Sequence, residues 1–124
     1  MKILVVDDSR VMRQIVIRTL RQSGHGGHDI VEAENGREGL EAVQREAPDL
    51  VLSDWNMPEM SGIDFLTTLR GSGGTVPFGF VTSEGSPAMR AQAQAAGHVG
   101  DAFDAHLQRQ FVIVDVTAFA DAFL

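Results

Sequence analysis

Four short apolar runs, Ile3-Leu4-Val5-Val6, Ile30-Val31-Glu32-Ala33, Leu50-Val51-Leu52-Ser53 and Phe78-Gly79-Phe80-Val81, alternate along the chain with segments of helical periodicity. Runs of this length with little polar alternation suit strands covered on both faces. The segments between them carry helix signals. Ser9 is a candidate N-cap, and Met12, Ile15, Val16 and Leu20 then recur at helical spacing, with Arg10, Gln14, Arg18 and Arg21 on the wet side. Asn35-Gly36 turns the chain ahead of Leu40, Val43 and Ala47, and Pro48 forbids continuation. Pro58 and Gly62 frame a loop before Phe65, Leu66 and Leu69, and Ser86-Pro87 opens a helix carrying Met89, Ala93 and Ala96. Alternation of this kind predicts parallel strands joined by right-handed crossovers, hence a doubly wound α/β domain with helices on both faces of the sheet.

The 124 residues suit one domain with a single core. Ten basic against seventeen acidic residues give a net charge of −7, which disfavours non-specific binding to nucleic acid or anionic lipid. There is no cysteine, so disulfides, thiol catalysis and thiolate metal sites are excluded, and a cytoplasmic location is expected. No apolar run approaches the roughly 20 residues of a membrane span, and Asp7-Asp8 ends the opening MKILVV too early for an export signal.

In doubly wound sheets, ligands sit beyond the carboxyl ends of the strands. Those ends carry Asp7 and Asp8 after the first strand, Asp54 after the third, and Thr82 and Ser83 after the fourth. Each taken alone is an ordinary cap or turn residue; their coincidence at one edge is the signal. Three carboxylates so close repel one another unless a cation compensates, and oxygen-only ligands select a hard one, Mg²⁺. Such a site shields the approach of a phosphoryl group to a nucleophilic carboxylate, with the hydroxyl and N–H groups of Thr82 and Ser83 to hold phosphoryl oxygens. The four histidines, His25, His28, His98 and His106, invite a metal reading, but His25 and His28 lie in a glycine-rich loop without helical i, i+4 register and read as exposed loop histidines, and Trp55 reads as a partly exposed rim residue beside Asp54.

Ile3-Leu4-Val5-Val6-Asp7-Asp8-Ser9, Asp54-Trp55-Asn56-Met57-Pro58-Glu59-Met60-Ser61-Gly62 and Val81-Thr82-Ser83-Glu84 together resemble the receiver domain of two-component response regulators, of the single-domain, CheY-like kind. The resemblance covers about residues 2 to 97. It implies a flavodoxin-like, five-stranded parallel sheet of order 2-1-3-4-5. It implies Asp54 as phosphoacceptor, and Mg²⁺ held by Asp7, Asp8, Asp54 and the backbone carbonyl of Asn56. Thr82 would be the switch hydroxyl, with Asn56, Thr82 and Ser83 about the phosphoryl group and with Pro58 and Gly62 shaping the loop.

The family's lysine after the fifth strand is missing; the chain's one lysine is Lys2, at the opposite end of the sheet. Two alignments of the tail compete. In one, Phe111-Val112-Ile113-Val114 is the fifth strand, Phe111 is the switch aromatic, and Val114-Asp115 stand where Lys-Pro belongs. In the other, favoured because it keeps a cation, a weak strand near Ala105 to Gln108 precedes Arg109-Gln110-Phe111, Arg109 replaces the lysine, and Val116, Phe119 and Phe123 face the core from a last helix. Residues 98–116 form an atypical segment within a single receiver domain spanning 1–124.

The expected function is that of a phosphoacceptor module whose phosphoryl donor is a histidine kinase. It would catalyse only its own phosphorylation and dephosphorylation, and its output would pass through protein contacts, with no direct nucleic-acid binding and no membrane insertion. Two rivals stay open: a degenerate receiver acting as a phosphorylation-independent interaction or dimerisation module, including a homodimer through the C-terminal side, and a flavin-mononucleotide protein of the same sheet order, against which Asp7-Asp8 would repel the flavin phosphate.

Overall fold

The computed structural model describes residues 1–22, 27–82, 85–96, 110–113 and 115–123. Their order is β1 (Lys2–Val6), α1 (Arg10–Gln22), β2 (Asp29–Ala33), α2 (Gly36–Glu46), β3 (Leu50–Asp54), α3 (Gly62–Gly71), β4 (Phe78–Val81), α4 (Pro87–Ala96), β5 (Gln110–Ile113) and α5 (Val116–Phe123). The strands form one sheet of order β2-β1-β3-β4-β5, and every neighbouring pair is parallel. This is the expected doubly wound sheet.

Alternate strand residues feed two cores. Leu4, Val6, Val51, Phe78 and Phe80 pack with Ala42 of α2, with Phe65, Leu66 and Leu69 of α3, and with Ala93 of α4. Ile3, Val5, Leu50, Leu52 and Ile113 pack on the other face with Val16, Ile17 and Leu20 of α1, joined by Val116 and Phe119 of α5. Side chains that alternate between two covered faces explain why β1, β3 and β4 show no polar alternation, whereas the edge strand β2 exposes Asp29 and Glu32.

The helix starts follow local chemistry. Ser9 Oγ accepts the N–H of Met12 at 3.3 Å, Asn35 caps α2 by accepting from Glu38 N–H at 2.9 Å, and Ser86 Oγ accepts from Met89 N–H at 3.1 Å. Asp115 does the same for α5, accepting from Ala118 N–H at 3.1 Å.

Two expectations are corrected. The buried face of α1 is Arg13, Val16, Ile17 and Leu20, whereas Met12 and Ile15 are 45% and 46% exposed. Two stripes at helical spacing share Val16 and Leu20, and the one containing a charged residue is the one turned inward. The fifth strand is also not a segment ending before Arg109. β5 starts at Gln110, paired with Phe78, and ends at Ile113, paired with Val81, so Val114-Asp115 follow its carboxyl end. Arg109 and the segment Ala105 to Gln108 lie outside the described residues, as do His25, His98 and His106.

Candidate functional site

Strand register determines what meets at the carboxyl edge. Val6 pairs with Ser53, so Asp7 and Asp54, each one residue further on, stand at the same level on strands about 4.8 Å apart. Asp8 follows as the chain turns towards α1. One carboxylate oxygen from each of Asp7, Asp8 and Asp54 lies within 4.8 Å of the others.

Each acid is held differently. Asp7 is only 9% exposed; its Oδ1 accepts the N–H of Ser9 at 2.9 Å, and its own N–H donates to the Ala33 carbonyl at 3.1 Å. Asp8 is exposed. Asp54 Oδ1 accepts the N–H of Trp55 at 2.8 Å, and the backbone N–H of Asn56 also donates to this carboxylate. The β3–α3 loop then closes tightly. Met60 N–H donates to the Pro58 carbonyl at 2.7 Å across Glu59, whose φ is 66°, and Gly62 N–H donates to the Trp55 carbonyl at 2.9 Å. A Cβ on Gly62 would run into the backbone oxygen of Asp54 and come within 2.8 Å of the Phe80 ring, so only glycine lets α3 begin this close to the site. The Trp55 ring rests against Phe80 at 4.7 Å between centroids.

Burial pushes the Asp7 carboxyl up from 3.8 to about 6, with the charges of Asp54 and Asp8 adding to the effect and the Ser9 N–H opposing it. The Asp54 carboxyl is raised as well, again mainly by burial, against the pull of the Trp55 and Asn56 N–H groups. An edge that raises its own carboxyls in this way is short of positive charge. The donors are all hard oxygens, two from acids that resist ionisation alone, which fits a small divalent cation such as Mg²⁺ and does not fit a soft metal.

A family model for the response regulator receiver domain matches residues 3–101. The chain belongs to that family. The receiver is 42% identical over 100 residues to the chemotaxis protein CheY1 of Helicobacter pylori, a match covering 78% of this chain and 79% of the relative. It is 40% identical over 100 residues to a chemotaxis CheY homolog of Campylobacter jejuni, covering 78% of this chain and 75% of the relative. Among solved structures, chemotaxis protein CheY4 of Vibrio cholerae superposes with a TM-score of 0.68 at 33% identity, covering 86% of this chain and 90% of that one. The signal receiver domain of a NarL response regulator from Mycobacterium tuberculosis gives 0.74 at 26% identity over 98% and 94% of the two chains. The receiver is thus a CheY-like member of the two-component signalling proteins, and no helix among its described residues is long and apolar enough to cross a membrane.

In this receiver the expected residues Asp7, Asp8 and Asp54 come together, and Asn56 lies beside them, two residues beyond Asp54. Thr82 follows β4, half-buried, with its backbone N–H donating to the Ile113 carbonyl at 3.0 Å. Ser83 and Arg109 lie outside the described residues. Sequence reasoning missed Arg13. Its guanidinium donates through Nη1 to the Asp7 carbonyl at 2.6 Å and through Nε to Glu32 Oε1 at 3.1 Å. The one signal in the sequence was its helical spacing from Val16, Ile17 and Leu20, a stripe that an apolar pattern does not pick out because it contains a charged residue.

Proposed function

We propose that Asp54 accepts a phosphoryl group from a phosphohistidine of a partner histidine kinase, and that the resulting charge biases the Thr82 end of β4. The observation that carries this reading is the close meeting of Asp7, Asp8 and Asp54, with Asp54 oriented by two consecutive backbone N–H groups. An oxygen of Asp54 forms the new bond to phosphorus, the bond from phosphorus to the donor nitrogen breaks, and the imidazole leaves with that electron pair and takes a proton. Asp7, Asp8, Asp54 and the carbonyl of Asn56 are the residues that would hold Mg²⁺. When bound, the ion offsets the carboxylate charge and spreads the negative charge of the transferred group. Thr82 and Ser83 supply a hydroxyl each to phosphoryl oxygens.

In the second step a water oxygen bonds to phosphorus, the bond from phosphorus to the Asp54 oxygen breaks, and inorganic phosphate leaves as the carboxylate is restored, so the only chemistry on this reading is the domain's own phosphorylation and dephosphorylation. Arg109 precedes β5 in the chain, and it is given no role in the step. Incubation with Mg²⁺ and a small acyl phosphate, followed by intact mass, tests the proposal. A single phosphoryl adduct in the parent and none in Asp54→Asn is expected; no adduct, or the same adduct in both, overturns it.

One observation favours a second reading. Where the family carries its lysine this chain runs Val114-Asp115, and Asp115 is engaged in capping α5. On that reading the domain is a phosphorylation-independent interaction module. Partner binding or oligomeric state that does not change with a phosphoryl mimic on Asp54 would favour it.

A further inference from the structure

Arg13 is 7% exposed, on the inward stripe of α1. Burying a guanidinium is costly unless its donors are satisfied, and an aliphatic residue would have continued the apolar stripe of Val16, Ile17 and Leu20. Two partners satisfy it here: the Asp7 backbone carbonyl at 2.6 Å and Glu32 Oε1 of β2 at 3.1 Å, an acid whose side chain is 40% exposed. The first partner is the informative one. The Asp7 carbonyl belongs to the peptide unit that joins Asp7 to Asp8. That unit is planar, so holding its oxygen fixes the twist between the two residues and with it the directions of their side chains. The other end of the fork is anchored on β2, next to Ala33, whose carbonyl takes the Asp7 N–H. Both sides of Asp7 are therefore tied to the same neighbouring strand.

We propose that Arg13 is a positioning residue for the acidic trio, holding the Asp7–Asp8 peptide so that the two carboxylates present their oxygens to one divalent ion. This rests on the reading of Asp7, Asp8 and Asp54 as the cation site. The sign of the effect separates positioning from charge. A buried cation beside a cation site opposes binding electrostatically, so removing it would tighten Mg²⁺. Loss of positioning weakens Mg²⁺ instead, by about 10-fold or more, as for other groups that orient metal ligands.

The experiment is a Mg²⁺ titration of the intact chain, followed by calorimetry and by Trp55 fluorescence, with the fold checked by circular dichroism. It is run at ~0.5 M salt, where charge effects through solvent are screened. Arg13→Met is expected to bind about 10-fold more weakly than the parent, and Arg13→Lys, which keeps a donor for the Asp7 carbonyl, to recover most of the loss. Glu32→Gln, at a half-exposed position that leaves the core intact, is expected to weaken binding by about two- to fivefold through loosening the anchor. It keeps the question answerable if Arg13→Met does not fold.

Affinity in Arg13→Met equal to or tighter than the parent overturns the proposal. So does Arg13→Lys no better than Arg13→Met, or Glu32→Gln indistinguishable from the parent. A parent that binds no Mg²⁺ sinks the cation-site reading together with this one. A parent that binds normally alongside unaffected variants sinks this one alone.

Discussion

Met60 lies against Gly36, its Cγ 2.8 Å and its Sδ 2.9 Å from where a Cβ on Gly36 would stand. The loop that follows Asp54 is thereby seated on the first residue of α2, and the exposed pair Arg37–Glu59, 4.0 Å apart, spans the same seam. The glycine is the space that Met60 occupies.

Gly36→Ala is therefore expected to destabilise, although alanine is the better helix former by about 1 kcal/mol. Overpacking costs about 1–3 kcal/mol, above the lower end here because the obstructing atoms include Met60 Cγ and Cβ, next to the backbone, so the clash outweighs the helix gain. In a Met60→Ala background the cost of Gly36→Ala should fall by about 1 kcal/mol. Urea denaturation of the four proteins measures the coupling, and simple additivity would show that the two residues do not compete for one space.

Gly62→Ala meets a harder obstacle, because the obstructing atom is the backbone oxygen of Asp54 rather than a mobile side-chain end. A loss of about 3 kcal/mol or more is expected, the upper end of overpacking costs, unless the loop moves and carries Asp54 with it. Either way the yield of phosphoryl adduct at fixed acyl phosphate and Mg²⁺ should drop sharply. A variant with parental stability and parental adduct yield would contradict the geometry.

The Asp7 carboxyl, raised from 3.8 to about 6 by burial and by the neighbouring acids, makes the metal-free protein sensitive to pH. Between those values the folded protein binds a proton that the unfolded chain does not. The contribution of Asp7 to stability is thus fully present below about 3.8 and is lost as pH rises through about 6. Asp54 shifts in the same direction. In chelator, the melting temperature should fall between pH 5 and pH 7.5, and Asp7→Asn should remove most of that fall. Mg²⁺ competes with the same protons, so it should stabilise more at pH 7.5 than at pH 5. At ten times its Kd the gain at the higher pH is about 1.4 kcal/mol, read as a rise of several degrees. A Mg²⁺ effect of equal size at both pH values would refute the linkage.

The inward face of α1 has its own test. Ile15 is 46% exposed and Ile17 is buried, so Ile15→Ser should alter stability by less than about 0.5 kcal/mol, whereas Ile17→Ala should cost about 2–5 kcal/mol. Chemical denaturation of the two variants decides between the two stripes, and a reversed order would restore the face expected from periodicity. The outward face leaves Val11, 69% exposed, beside Met12 and Ile15 on the solvent side of the helix.

Much of this protein was legible in its residues. Strands buried on both faces carry unbroken apolar runs, so β1, β3 and β4 were visible in Ile3 to Val6, Leu50 to Ser53 and Phe78 to Val81. Their parallel order follows from the helices between them, and the order in turn named Asp7, Asp8 and Asp54 as edge residues. Caps at Ser9 and Ser86 were also readable, because a cap is satisfied within four residues of itself.

What only the tertiary structure decided are the features that depend on partners far along the chain. A helical pattern records a period but not which of two overlapping stripes turns inward. Arg13 is buried because Asp7 and Glu32 meet it there, and nothing in its neighbouring sequence announces them. The start of β5 at Gln110 was settled by pairing with Phe78, thirty-two residues earlier, and no local propensity distinguishes that register from a neighbouring one. The meeting of Asp7 with Asp54 likewise comes from Val6 pairing with Ser53. Local chemistry chose the residues, and packing between distant segments chose their company.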